Sequence, residues 1–279
     1  MLVSVYITTK DRLELLKRAV ASVLSQDYKK IELIVSDDGS SDGTHEYLLE
    51  QEKQGHLKAI IRTDSKGACF ARNLAIDLAQ GEFITGLDDD DYFKPQRVSC
   101  FVQFWSNLDN SKKTTIAGLF DSIIELGVNG QLVKDDAEEA SYLDLRKSNL
   151  VGNQVFAKKE VFVGAAKFDV EMPAWQDWDM WIRMSKKYGS FLNIREQTYF
   201  MDLIHDHGRL STKKSERIRL AYHKIVEKLG TQSYTERVAM LEKLYGYHQM
   251  TPKLSEVLIL LSYGKVRPVV RSIRTLIRY

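Results

Sequence analysis

Cysteine and proline are scarce. The 2 cysteines, Cys69 and Cys100, form no CxxC pair, which excludes a disulfide framework and argues against a structural zinc site. With 4 prolines, 16 glycines and no low-complexity stretch, the chain is neither collagen-like nor mostly disordered. Long apolar runs are missing too. The longest, Val257-Leu258-Ile259-Leu260-Leu261, falls far short of the ~20 residues that span a bilayer. The apolar start at Leu2 to Ile7 has no basic region before it and is too short for a secretory leader. No leader is therefore expected, and the expected compartment is the cytoplasm. What is present, 44% hydrophobic and 28% charged residues, is the composition of a soluble globular protein.

The net charge of +2 hides an imbalance. Residues 1–207 carry 25 Lys and Arg against 33 Asp and Glu, whereas residues 208–279 carry 15 against 5. An acidic body with a basic tail predicts two organisational units, 1–207 and 208–279. The acidic body also argues against nucleic acid as a partner.

The first hundred residues alternate between strand and helix periods. Leu2–Ile7, Ile31–Val35, Leu57–Ile61 and Phe83–Leu87 read as strands, with helices at Leu13–Leu24, Glu46–Gln54 and Arg72–Ala79 between them. This rhythm predicts an α/β fold with a mainly parallel sheet and helices on both faces. Ligands of such sheets bind at the carboxyl ends of the strands. The clusters Thr8–Arg12, Asp37–Asp42 and Asp88–Asp91 each follow a strand, so one shared site is expected there. Further on, Thr115–Leu126 looks extended and Asn129-Gly130 signals a hairpin. Trp175–Tyr188 reads as a helix, and from Ser211 the chain reads as helices broken near Gly230, 246–252 and 264–268.

Asp88-Asp89-Asp90-Asp91 is the most informative stretch. Adjacent like charges beside a partly desolvated cleft repel, and a cation relieves them. Oxygen donors with no nearby His or Cys suit Mg²⁺ or Mn²⁺, bridging to a diphosphate. A solvated acidic loop is the alternative, but the run is clamped between Phe83–Leu87 and Tyr92-Phe93.

Five motifs in order carry a family resemblance. They are Ile7-Thr8-Thr9-Lys10-Asp11-Arg12, Asp37 to Thr44, Ala71-Arg72-Asn73, Gly81 to Ile84 ahead of the acidic run, and Gln176-Asp177-Trp178-Asp179. The set resembles an inverting family 2 glycosyltransferase with a GT-A fold, with Thr8 where proline is usual. The resemblance implies a Rossmann-like GT-A catalytic domain over 1–207, with 1–100 binding nucleotide and 101–207 the acceptor. Residues 208–279 then form a basic helical C-terminal extension. It implies a nucleoside-diphosphate sugar donor, UDP-linked, and a glycan or polyprenyl-diphosphate-linked acceptor in bacterial surface polysaccharide synthesis.

Roles follow residue by residue. Asp37 or Asp38 would hydrogen-bond the uracil ring or ribose; Asp38 is preferred, and Asp42 reads as a helix cap. Thr8 and Thr9 would contact the base, with ordinary turn chemistry as the alternative. Arg12 would reach a phosphate or simply start a helix. Arg72, read near a helix N-terminus, opposes the macrodipole and needs a partner, either a phosphate or one of the aspartates. Asp88 would contact the ribose with Asp89 beside it, Asp90 would contact the metal, and Asp91 would orient the loop or cap the helix before Lys94-Pro95. Asp177 would be the general base, because inverting transfer needs one carboxylate to take the acceptor proton and no enzyme nucleophile. Asp179 competes for that role but reads better as a charge at a helix start. Trp175 would stack on the acceptor sugar, with a packed core Trp as the alternative. His205 or His207, with His207 named first, would lie near the metal or diphosphate.

In the tail, Val266, Val269, Val270, Ile273, Leu276 and Ile277 repeat at helical spacing, and Arg267, Arg271, Arg274 and Arg278 fall on another face. Such a helix suits an anionic membrane surface, so peripheral attachment to the inner face of the plasma membrane is expected; a soluble helical cap is the alternative. Two rival functions make different demands on the sequence. A nucleotidyltransferase needs a Gly-rich loop after the first strand, and Thr8 to Arg12 has no glycine. A non-catalytic scaffold would not need Asp88–Asp91 and Asp177 intact.

Overall fold

The computed structural model describes residues 1–128, 130–133, 137–204, 215–247 and 250–270. Among them run β1 (Val3–Thr9), α1 (Leu13–Leu24), β2 (Ile31–Asp37), α2 (Thr44–Lys53), β3 (Lys58–Ile61), α3 (Ala68–Leu78), β4 (Phe83–Asp88) and β5 (Tyr92–Phe93). Then come α4 (Arg97–Asn107), α5 (Asn110–Lys113), β6 (Ile116–Phe120), β7 (Ile123–Gly127), β8 (Gly130–Val133), β9 (Glu139–Ala140), α6 (Tyr142–Leu145), β10 (Phe156–Lys158) and α7 (Lys159–Gly164). The chain continues through α8 (Gln176–Tyr188), β11 (Ser190–Asn193), β12 (Tyr199–Asp202), α9 (Ser215–Leu229), α10 (Tyr234–Leu244) and α11 (Leu254–Ser262). Residues 266–270 are helical as well.

An eight-stranded sheet has the order β3-β2-β1-β4-β10-β6-β11-β9, and a four-stranded sheet the order β5-β12-β7-β8. In the large sheet β3, β2, β1 and β4 are parallel neighbours. β10 runs antiparallel between β4 and β6, which is itself parallel to β11. Alternation along the strands splits the core between the two faces, as the period of two requires. Val3, Val5, Ile7, Leu33 and Val35 pack with Leu16, Val20 and Val23 of α1 and with Val98 and Phe101 of α4. Tyr6, Ile34 and Ile84 face the other way, toward α3, α8 and the C-terminal helices. Leu16, Val20 and Val23 are at most 2% exposed, and each contributes roughly 2 kcal/mol by leaving water.

Several sequence expectations are corrected here. Thr115–Leu126 is extended as expected, but as two strands, β6 and β7. It breaks after Phe120, and its halves enter different sheets, because buried Asp121 must turn to meet Arg97 at 2.5 Å. Arg72 does not open α3; that helix begins at Ala68, so no macrodipole conflict exists. Trp175 precedes α8 rather than joining it, with a left-handed φ of +54°. In the tail, Val269 is buried in the core while Val266 and Val270 face outward, so these three do not share one surface. The expected arginine stripe at Arg271, Arg274 and Arg278, like Ile273, Leu276 and Ile277, lies outside the described residues, as do His205 and His207.

Candidate active site

The loops that leave β1, β2 and β4 start side by side. Thr8 stands opposite Asp88 on one flank and Ser36 on the other, and Thr9 stands opposite Asp37. These loops carry two contact clusters.

In the first, buried Asp89 accepts from Thr9 Oγ1 at 2.8 Å and from Arg12 at 3.0 Å. The same guanidinium nitrogen lies 3.2 Å from Asp90. Burial pushes the Asp89 carboxyl up to about 6, against the pull of Arg12. Asp91 serves the loop itself, accepting from the Tyr199 hydroxyl at 2.7 Å and from the Asp202 N–H at 3.0 Å.

The second cluster centres on Asp88 at the end of β4. It accepts from Arg72 at 3.2 Å, from Gln154 Nε2 at 3.0 Å and from Asn153 at 3.5 Å. Arg72 also donates to Gln176 Oε1 at 2.9 Å and lies over the Phe168 ring. The partner of Arg72 is therefore one of the aspartates, and the pair fastens β4 to the start of α8. Gly86, two residues earlier, is forced by packing: a Cβ there would lie 2.0 Å from Gln154 Oε1 and 2.5 Å from the Tyr6 ring.

Asp177 is the second residue of α8. Asn149 Nδ2 donates to its Oδ2 at 2.9 Å. Burial pushes its carboxyl up to about 6; the Trp178 N–H and the Arg72 charge pull it back, and Asp88 pushes it up further. Asp177 thus senses both members of the second cluster. Asp179, its competitor, is buried in ion pairs with Arg183 at 2.9 Å and Lys228 at 2.7 Å, and so is occupied structurally.

The remaining candidates are held by other protein groups. Asp37 accepts from the Ser40 N–H at 3.1 Å, and His45 Nε2 lies 2.5 Å from it. Asp38 accepts from Ser65 Oγ at 2.7 Å and from the N–H groups of Lys66 and Gly67, both at 2.8 Å. It therefore shapes the loop that opens α3, where Gly67 sits at φ +93°. Asp42 caps twice, accepting from the Leu13 N–H at 2.9 Å and the Thr44 N–H at 3.2 Å. Trp175 is packed, its Nε1 donating to the Tyr247 hydroxyl at 2.9 Å and its ring 5.0 Å from that of Trp178.

Sequence reasoning missed Asn149, Asn153 and Gln154 and gave Gln176 no role. A signal existed. Three amides fall at 149, 153 and 154 around the apolar Val151 and Val155; Gln154 is buried, and a buried amide must find a partner.

Among the described residues no three or more His, Cys, Asp or Glu side chains converge as a metal site. The donors present still fit one kind of ion. Asp90 is a hard oxygen donor on the loop after β4, and Mg²⁺ and Mn²⁺ are commonly held by one or two carboxylates with phosphates completing the shell.

Comparison with known proteins places this geometry. The profile described as Glycosyl transferase family 2 matches residues 4–117. A protein of Escherichia coli K12 assigned provisionally to colanic acid biosynthesis, the glycosyl transferase WcaA, is 32% identical over 272 residues, covering 95% of this chain and 94% of its own. The E. coli UDP-Glc:alpha-D-GlcNAc-diphosphoundecaprenol beta-1,3-glucosyltransferase WfaP is 34% identical over 140 residues, or 47% of this chain and 55% of its own length. The mannosyltransferase PcManGT from Pyrobaculum calidifontis, solved in complex with GDP-Man and Mn²⁺, superposes with a TM-score of 0.62 at 14% identity, covering 98% of this chain and 86% of that one. The large mixed sheet with its flanking helices is a GT-A fold, and the chain belongs to glycosyltransferase family 2.

Proposed function

We propose that this chain is a metal-assisted inverting glycosyltransferase that moves a sugar from a UDP-linked donor to a polyprenyl-diphosphate-linked glycan. Asp177 is its general base. One observation carries this reading: a half-buried carboxyl at the start of α8, fixed by Asn149 at 2.9 Å beside the Gln176 that Arg72 bridges to Asp88, where burial pushes it up to about 6.

The acceptor oxygen attacks the anomeric carbon, the bond to the diphosphate oxygen breaks, and the acceptor proton passes to Asp177. The anomeric configuration inverts in one displacement, and no enzyme nucleophile takes part. A carboxylate with a pKa near 6 is a better base than an exposed one and is still ionised at neutral pH. Asn149 fixes its Oδ2, and the Arg72 bridge from Asp88 to Gln176 holds the base at a set distance from the end of β4. Thr8, Thr9, Arg12, Asp37, Asp38, Asp88 and Asp89 form the nucleotide side, and Asp90 would hold Mn²⁺ or Mg²⁺. A bound divalent ion supplies charge neutralisation for the departing diphosphate.

The donor and acceptor classes are read across from WfaP, and the metal from PcManGT. An acceptor carried on a membrane lipid gives the enzyme a reason to work at the cytoplasmic surface of the plasma membrane. No helix among the described residues is long and apolar enough to cross a membrane.

Thermal shift with UDP, Mn²⁺ or both tests the site. Synergistic stabilisation is expected with both, and Asp90→Ala should abolish the synergy. No stabilisation by either would leave a scaffold. Release of pyrophosphate from a nucleoside triphosphate and a sugar phosphate would identify a nucleotidyltransferase instead.

A further inference from the structure

The C-terminal helices α9, α10 and α11 enclose a cavity of about 440 Å³ that the transfer reaction does not use. Its lining includes His223, Gln232, Arg237, Lys253 and Glu256. The only acid among these is already satisfied: Arg219 lies 2.9 Å from one Glu256 oxygen, and the Tyr245 hydroxyl donates to the other. Arg237 and Lys253 are left exposed at the cavity. Gln232 Nε2 is buried with no hydrogen-bond partner, so an N–H donor there awaits an acceptor. Burial, with help from Lys253 and Arg219, holds His223 below its usual range, which agrees with a positive potential inside. The donors fit the oxygens of a phosphate group.

Beside the cavity, α11 turns Glu256 and Ile259 inward and leaves Leu254, Leu258 and Leu261 outward at 76%, 59% and 43% exposure. These three repeat at i, i+4 and i+7, one stripe of a helix. A second copy of the chain meeting this face with its own is a poor cover for the stripe, since the exposed Arg237 and Lys253 at the cavity would oppose their counterparts. An anionic bilayer matches both features, phosphates for the cations and acyl chains for the leucines.

We propose that α9, α10 and α11 form a docking surface for an anionic phospholipid bilayer, with a lipid phosphate in the cavity and the leucine stripe of α11 inserted beside it. The surface is tied to the reaction centre. Tyr245 holds Glu256 at the cavity, and two residues on Tyr247 holds Trp175, two positions before Asp177. The inference deepens the proposed function by naming the face turned to the lipid that carries the acceptor.

Flotation with vesicles of phosphatidylcholine, alone or mixed with phosphatidylglycerol, tests it on the full chain. No donor or acceptor is present, so this test and the transfer assay fail independently. Binding is expected only to the anionic vesicles and should weaken at high salt. Arg237→Gln and Lys253→Gln should each weaken it about fivefold, the effect of removing one basic residue near a charged surface. Leu258→Asp should weaken it as well, with circular dichroism unchanged because the side chain is exposed. Equal binding to neutral vesicles, binding to neither, or a wild-type dimer that Leu258→Asp dissociates would each overturn the proposal.

Discussion

Replacing Asp177 by asparagine should stabilise the protein while stopping transfer. Burial makes the ionised carboxylate the unfavourable form in the folded chain, raising its pKa from 3.8 to about 6. The folded state therefore holds this proton more tightly than the unfolded state. The penalty is absent below pH 3.8, grows as the pH rises, and is complete above about 6. At about 1.36 kcal/mol per pH unit it amounts to roughly 3 kcal/mol. Asparagine is nearly isosteric, cannot ionise, and still accepts from Asn149 through its amide oxygen. Above neutral pH the variant should melt higher than the wild type by on the order of 5–10 °C. The gap should close as the pH falls through about 6. In the same buffers the wild-type kcat/KM should fall along an acid limb near pH 6, while the variant stays inactive with donor affinity retained. An equal or lower melting temperature above neutral pH, or a gap that does not change with pH, would refute the burial argument. Retained turnover would remove Asp177 as the base.

Two further perturbations test the support around it. Gly86→Ala places a methyl against the Tyr6 ring and Gln154 Oε1, so a loss of about 1–3 kcal/mol in urea denaturation is expected, with weaker donor binding as Gln154 leaves Asp88; an unchanged midpoint would contradict the close packing. Arg72→Met strands Asp88 and Gln176 at once and should destabilise by about 3 kcal/mol, whereas a loss below about 1 kcal/mol would mean the pair behaves as a surface contact.

The parts legible in the sequence are those with a local cause. Leu13–Leu24 declares α1 by its spacing, and β1, β2 and β4 declare themselves by apolar runs that end in polar loops. The acidic run that begins at Asp88 stands where β4 ends for the same reason. What escaped has distant causes. β10 has only three residues, too few for any period, and exists because β4 and β6 both hydrogen-bond to it. The break between β6 and β7 follows from an ion pair between Asp121 and Arg97, 24 positions apart. The early start of α3 follows from Asp38 gripping residues 65–67, a contact invisible along the chain. Likewise Asn149, Gln154 and Gln176 reach the site across the fold, with no motif to announce them.

The place of β10 also bears on how this enzyme can be taken apart. By pairing Phe156 with Thr85 it seals the edge of β4, and the loop before it delivers Gln154 to Asp88. A chimera that borrowed only the first hundred residues to transplant donor preference would carry an open strand and an aspartate stripped of two of its partners. Recombination between relatives therefore has to move residues 149–177 along with the amino-terminal half, so donor choice and acceptor choice are expected to be inherited together.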